Sequence, residues 1–110
     1  MKIQVVPEFE KALNKLSKKY SSLRSDFLYF LANLEENPTI GIELFPNCRK
    51  ARMQIKSKGK GKSGGARIIF FIQWEEDYIT LLFVYDKSEI DNVTTEFIKY
   101  LLKKWREEGQ

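Results

Sequence analysis

The sequence predicts a single small α+β domain: an antiparallel meander sheet with helices packed on one face, in the order β-α-α-β-β-β-α. Three patterns carry that reading. Apolar residues recur at helical spacing before residue 37 and again after residue 92. Two runs rich in β-branched and aromatic residues, 68–74 and 78–85, read as central strands. Just before them, residues 50–56 alternate strictly between apolar and polar. A length of 110 residues suits one domain, 1–110, around one core.

The elements follow in chain order. Ile3 to Val6 reads as a short opening strand. Pro7 then pre-sets the first turn of a helix from about Glu8 to Tyr20, with Glu8 and Glu10 at its positive end. Its stripe is Phe9, Leu13, Leu16 and Tyr20. Ser21 or Ser22 caps a second helix, Leu23 to Glu36, which Asn37-Pro38 stops. So short a link makes the two helices an antiparallel hairpin. Residues 38–48, with Pro38, Gly41 and Pro46, read as a connector. In the strand that follows, Ala51, Met53 and Ile55 point one way, and Lys50, Arg52, Gln54 and Lys56 the other. Ser57 to Gly65 is a glycine-rich hairpin loop. Ile68–Trp74 and Tyr78–Tyr85 are strands joined by the acidic turn Glu75-Glu76-Asp77. A polar turn, Asp86–Asp91, leads into a last helix over about Asn92–Glu108, with Phe97, Ile98, Leu101, Leu102 and Trp105 on one face. Tyr100 is counted with the core.

The charge is unevenly placed. Arg49 to Arg67 holds eight basic residues (Arg49, Lys50, Arg52, Lys56, Lys58, Lys60, Lys62, Arg67) and no acid, in a chain of 19 basic and 15 acidic residues. The remainder, with 11 basic and 15 acidic residues, is mildly acidic. A basic patch gathered mid-chain is the electrostatic footprint of a polyanion-binding surface. Pairing 52–56 with 67–72 as a hairpin brings Lys50, Arg52, Lys56 and Arg67 towards one end of the sheet. There Arg forks suit phosphate oxygens, and the loop lysines serve as mobile point charges.

Several chemistries are excluded or weakened. There is no His, so no Ser–His–Asp or Cys–His arrangement exists, and a lone Cys48 leaves little for zinc. Cys48 reads as a small buried or edge residue in a reducing compartment. No apolar run approaches the length of a membrane span, the N-terminus is too short an apolar stretch for a signal peptide, and the cytoplasm is the expected location. Gly61-Lys62-Ser63 is no phosphate-binding loop of the G-x-x-x-x-G-K-[ST] kind: Lys56 stands where its first Gly belongs, and a strand follows instead of a helix. RNA cleavage through the substrate's own 2′-hydroxyl needs neither metal nor cofactor. It needs a proton acceptor, a proton donor and a cation for the developing phosphorane charge, for which Arg67 is the best candidate. Composition alone does not separate such cleavage from simple RNA binding.

The block R-K-A-R-M-Q-I-K-S-K-G-K-G-K-S-G-G-A-R-I-I-F-F, Arg49 to Phe71, resembles the signature of RelE/HigB-type toxins of bacterial type II toxin–antitoxin systems, in the RelE/ParE superfamily. L-L-F-V-Y-D-K-S-E (Leu81 to Glu89) and N-P-x-x-G (Asn37, Pro38, Gly41) fit the same pattern, so the resemblance covers most of the chain. It implies a RelE-like fold and a ribosome-dependent endoribonuclease that cuts translated mRNA. It also implies a cognate antitoxin, in this branch usually one with a helix-turn-helix DNA-binding domain. By the same resemblance Lys50, Arg52, Arg67 and Lys87 are the catalytic candidates. Arg49, Lys56, Lys58, Lys60, Lys62 and Tyr85 are then the RNA-binding ones. The family's late catalytic Tyr has no clear match. Two alternatives stand beside this: a ParE-like inhibitor that binds DNA gyrase, and an RNA-binding protein without cleavage activity.

Overall fold

Residues 1–58 and 64–108 are described by a computed structural model. The elements are β1 (Lys2–Val5), α1 (Pro7–Lys19), α2 (Leu23–Glu36), β2 (Ile42–Phe45), β3 (Cys48–Met53), a 3-10 turn (Lys56–Lys58), β4 (Ala66–Gln73), β5 (Tyr78–Asp86) and α3 (Thr95–Glu108). Pro7 opens α1 as expected, with Glu8 and Glu10 in its first turn and Lys18 and Lys19 in its last, each sign at the favourable end of the dipole. Phe9, Leu13 and Leu16 are its buried stripe. Ser22 stands at the start of α2, but its hydroxyl caps no backbone N–H. It donates to Asp26 Oδ2 (2.6 Å) and accepts from the Ser57 N–H (2.8 Å), which ties the helix to the 3-10 turn.

The strands form one sheet in the order β1-β5-β4-β3-β2. Three expectations are corrected here. First, the sheet is mixed: β3, β4 and β5 form the expected antiparallel meander, but β1 lies parallel to β5, Lys2 opposite Tyr78 and Val5 opposite Leu81. A four-residue edge strand whose partner is more than seventy positions away leaves no local signal. Second, the connector contains β2, which pairs antiparallel with β3. Its Ile42-Glu43-Leu44-Phe45 lacks alternation because it is an edge strand, exposed at its start and half-buried at its end. Third, helices cover both faces. Ala51, Met53, Ile68 and Val84 look towards α1 and α2, whereas Phe71 and Phe83 look towards α3: the Phe97 ring meets Phe83 edge-on at 5.0 Å, and Arg106 lies over Phe71. The near-continuous apolar runs of β4 and β5 are the sequence counterpart of that two-sided burial.

Smaller corrections follow. Strand β3 ends at Met53, so Lys56 leaves the strand face for the 3-10 turn. Tyr100 is 56% exposed and is no part of the core. Cys48 is fully buried, and burial pushes its thiol up to about 12. Between Ile69 and Phe70 the β4–β5 register shifts: Ile69 faces Phe83 and Phe70 faces Leu81, so Leu82 is an extra residue, a β-bulge. Gly41 and Gly65 have φ of +80° and +75°. A Cβ on Gly41 would lie 2.1 Å from the Lys50 carbonyl oxygen, and one on Gly65 would lie 2.7 Å from that of Met53. Both glycines let backbone close onto β3.

Candidate functional site

The register assembles the site on the α3 side of the sheet. Arg52 of β3 lies directly opposite Arg67 of β4, and Arg67 lies directly opposite Tyr85 of β5. One step along, Lys50, Ile69 and Phe83 form the next row on the same face. The helix α3 roofs the far part of this face through Phe97 and Arg106, leaving the end beside Arg52 and Arg67 uncovered by it. Like charges placed directly across a strand pair are unfavourable. Two arginines in that position are a local destabilisation that a bound anion would relieve.

Each cation is held differently. Arg67 is half-buried, and its Nη1 donates to the carbonyls of Gly64 (3.2 Å) and Ala66 (3.3 Å). Gly65, between them, accepts from the Lys87 N–H (3.1 Å), so the close approach at Gly65 joins β3, β4 and the end of β5 beneath the site. Arg52 is exposed and carries no protein partner among the described residues. The segment 87–94 forms a rim. Lys50 Nζ donates to Asn92 Oδ1 at 3.3 Å, and Lys87 Nζ donates to Asp91 O and Oδ1 at 2.6 and 3.0 Å.

Tyr85 is only 2% exposed, stacks on Phe83 (centroids 6.3 Å apart), and has the one buried side-chain polar atom without a hydrogen-bond partner among the described residues. Burial pushes its phenol up, the Arg67 charge offsets part of that, and Asp91 adds to it. The hydroxyl therefore stays protonated at neutral pH and is an unused donor in the row of Arg52 and Arg67. An orphaned buried hydroxyl costs roughly 1–3 kcal/mol.

Of the residues singled out by sequence, Lys50, Arg52, Arg67, Tyr85 and Lys87 come together here. Arg49 does not: it points away and donates from Nε to Ile40 O (3.1 Å) and from Nη2 to Gly41 O (3.0 Å), pinning the turn before β2. Lys56 lies over the Tyr29 ring of α2. Lys58 is no mobile loop charge: its Nζ donates to Asp86 Oδ1 at 2.7 Å and to Ser88 Oγ at 2.8 Å, over the Tyr20 ring. Lys60 and Lys62 lie outside the described residues. Sequence reasoning missed Asp91 and Asn92 at the rim. It also missed the anchor around Asp86, whose only signal was an acid closing an otherwise apolar strand. Among the described residues no group of His, Cys, Asp and Glu could hold a metal ion.

No family model matches the chain. Among solved structures it is similar to a free-state mutant of the E. coli toxin RelE, with 18% identity, 94% of this chain and 95% of that one covered, and a TM-score of 0.58. It is also similar to the archaeal RelE in a RelE–RelB complex from Pyrococcus horikoshii, with 22% identity, coverage of 78% and 93%, and a TM-score of 0.52. The chain therefore has the RelE fold.

Proposed function

We propose that this chain is the toxin of a type II toxin–antitoxin system and an endoribonuclease that cuts mRNA on the ribosome in the cytoplasm. The observation that carries the reading is the row Arg52–Arg67–Tyr85, with Lys50 beside it: adjacent cations over a buried, protonated and unpartnered phenol on one face of the sheet. The likeness to RelE, and the residues 49–71 that resemble the RelE/HigB signature, support the same reading. In it, Arg67 and Arg52 hold the scissile phosphodiester, and Arg67 stabilises the charge that grows on its oxygens during attack. The nucleophile is the RNA's own 2′-hydroxyl, which gives up its proton to solvent water as it attacks, so the strand breaks to a 2′,3′-cyclic phosphate and a free 5′-hydroxyl. Tyr85, which keeps its proton at neutral pH and stands opposite Arg67, donates that proton towards the departing 5′-oxygen once RNA binding uncovers the hydroxyl. Lys50 and Lys87 complete the anion site from the strand and the rim. Lys60 and Lys62, in the glycine-rich stretch of the sequence, add phosphate contacts that strengthen association with RNA.

A cognate antitoxin completes the system by masking this face or its access to the ribosome. The archaeal structure similar to this chain is itself a RelE–RelB complex. The acidic turn Glu75-Glu76-Asp77 joins the other ends of β4 and β5, so silencing has to come from a partner.

The test adds purified protein to a reconstituted translation reaction and maps the 5′ ends of the mRNA. New ends within translated codons, absent when ribosomes are omitted and absent with Arg67→Ala, are expected. Intact mRNA with continued protein synthesis overturns the nuclease reading. Inhibited DNA gyrase in a parallel supercoiling assay would replace it with the binding-inhibitor alternative.

A further inference from the structure

We propose that the groove between α3 and the β2 side of the sheet is a docking site for an acidic, amphipathic segment of a partner protein. The groove encloses about 470 Å³. Phe45, Phe71 and Leu102 form its apolar floor; Lys99, Lys103 and Arg106 form a basic rim, with Glu107 the one acid. The three cations sit at spacings of four and three, on one edge of α3. None of them is in an ion pair among the described residues, whereas Lys104, elsewhere on the helix, pairs with Glu8 at 2.6 Å.

The cations also cover the floor. Lys99 lies 5.4 Å from the centroid of Phe45, and Arg106 lies 5.3 Å from that of Phe71. A cation on an exposed ring is held weakly, and a charge-assisted hydrogen bond to a carboxylate is the stronger contact. Carboxylates arriving at the rim therefore draw Lys99 and Arg106 off the rings and uncover apolar surface for a Leu or Phe beside them. Charge and apolar recognition are coupled, so a segment carrying only one of them binds poorly. A nucleic acid fits less well. Bases stack on free aromatic faces, but both rings already carry the protein's own cations, and Glu107 stands against a phosphate backbone.

The groove shares a face of the sheet with the arginine row but lies at the other end of β3: Phe71 is opposite Cys48, whereas Arg67 is opposite Arg52. A segment seated here leaves Arg52 and Arg67 uncovered. The proposal does not depend on the nuclease reading.

The test is titration of the ¹⁵N-labelled full chain with a short synthetic peptide alternating Glu and Asp with Leu and Phe, followed by amide chemical shifts. Saturable shifts at Phe45, Phe71 and Leu102 are expected. The doubly charge-reversed Lys99→Glu/Lys103→Glu protein, checked for folding by circular dichroism, should bind at least about tenfold more weakly. Arg52→Ala should bind as the parent does. No groove shifts at millimolar peptide would overturn the proposal. So would equal binding by a control peptide with Ser in place of Leu and Phe, or tighter binding at the same amides by an oligouridylate.

Discussion

Replacing Asp86 with Asn should destabilise the protein more than its position at the end of a strand suggests. Asp86 is 1% exposed, and its carboxylate accepts four hydrogen bonds: from Lys58 Nζ (2.7 Å), Ser88 N (2.9 Å), Ser88 Oγ (2.8 Å) and the Tyr20 hydroxyl (2.5 Å). An Asn keeps the shape and one acceptor oxygen, and the Tyr20 hydroxyl can turn to accept from its amide. The loss therefore falls on Lys58, which keeps its charge while its partner becomes neutral. Removing one partner of a fully buried ion pair costs about 3–5 kcal/mol. Lys58 retains 19% exposure and can recover some hydration, which puts the expected loss at roughly 2–3 kcal/mol. At about 4–8 °C per kcal/mol for a domain near this size, Tm should fall by roughly 10–20 °C. Thermal and urea unfolding at neutral pH measure it. Lys58→Met, alone and combined with Asp86→Asn, closes a double-mutant cycle with an expected coupling of about 1–3 kcal/mol. Additive effects, or a Tm within a few degrees of the parent, would show that the pair does not hold the loop base. The pH dependence has a definite sign. Burial alone would raise the Asp86 carboxyl, but the hydrogen bonds from Lys58, Tyr20 and Ser88 outweigh it and hold the group below the ordinary carboxylate range. The unfolded chain titrates near pH 3.9, so on acidification it takes up this proton before the native state does. The stabilisation is complete above about pH 5 and declines as pH falls towards the lowered native value. The gap between parent and Asp86→Asn should narrow correspondingly.

Three further outcomes are expected. Arg67→Ala should leave the fold intact and reduce RNA cleavage by about 10²–10³, with Arg67→Lys also impaired because an ammonium lacks the fork; codon-resolved end mapping reads both. Tyr85→Phe should separate stability from activity: removing an orphaned hydroxyl leaves unfolding unchanged or stabilises by about 1 kcal/mol, while single-turnover cleavage falls by about 10²-fold or more. Parent-like cleavage by a folded Tyr85→Phe protein removes Tyr85 from the chemistry. Gly41→Ala, with φ of +80° and a Cβ 2.1 Å from the Lys50 carbonyl, should lower stability by at least about 2 kcal/mol in urea unfolding, because β3 has to move.

The helices and the central meander were legible because their signals are local. The stripe Phe9–Leu13–Leu16 and the alternation Ala51–Met53 each specify a face without reference to distant residues. The parallel pairing of β1 with β5 and the edge strand β2 were not, since both depend on partners rather than pattern. The candidate site was half legible. Lys50, Arg52 and Arg67 share a face because strand periodicity and a hairpin require it. The other basic residues of the same segment were indistinguishable by composition. Arg49 is turned away by that same periodicity, Lys56 is displaced by the early end of β3, and Lys58 is captured by Asp86. Charge density marked the segment, and only pairing partners separate the residues on the candidate site's face from the structural anchors.

The bulge at Leu82 decides the sign of the site. Counting by twos from Tyr78 with Leu82 paired in the ladder would place Asp86 on the face of Arg52 and Arg67 and turn Tyr85 towards the α1–α2 side. With Leu82 bulged out of the ladder, the parity of the last four residues of β5 is reversed: the phenol joins the arginines, and the carboxylate goes inward to Lys58 and Tyr20. The bulged pairing thus decides whether the arginines' face carries a proton donor or an anion that would repel phosphate. Deleting Leu82 would leave both where they are, because the regular strand then keeps Tyr85 opposite Arg67, whereas a one-residue slip that drew Leu82 into the ladder would exchange them.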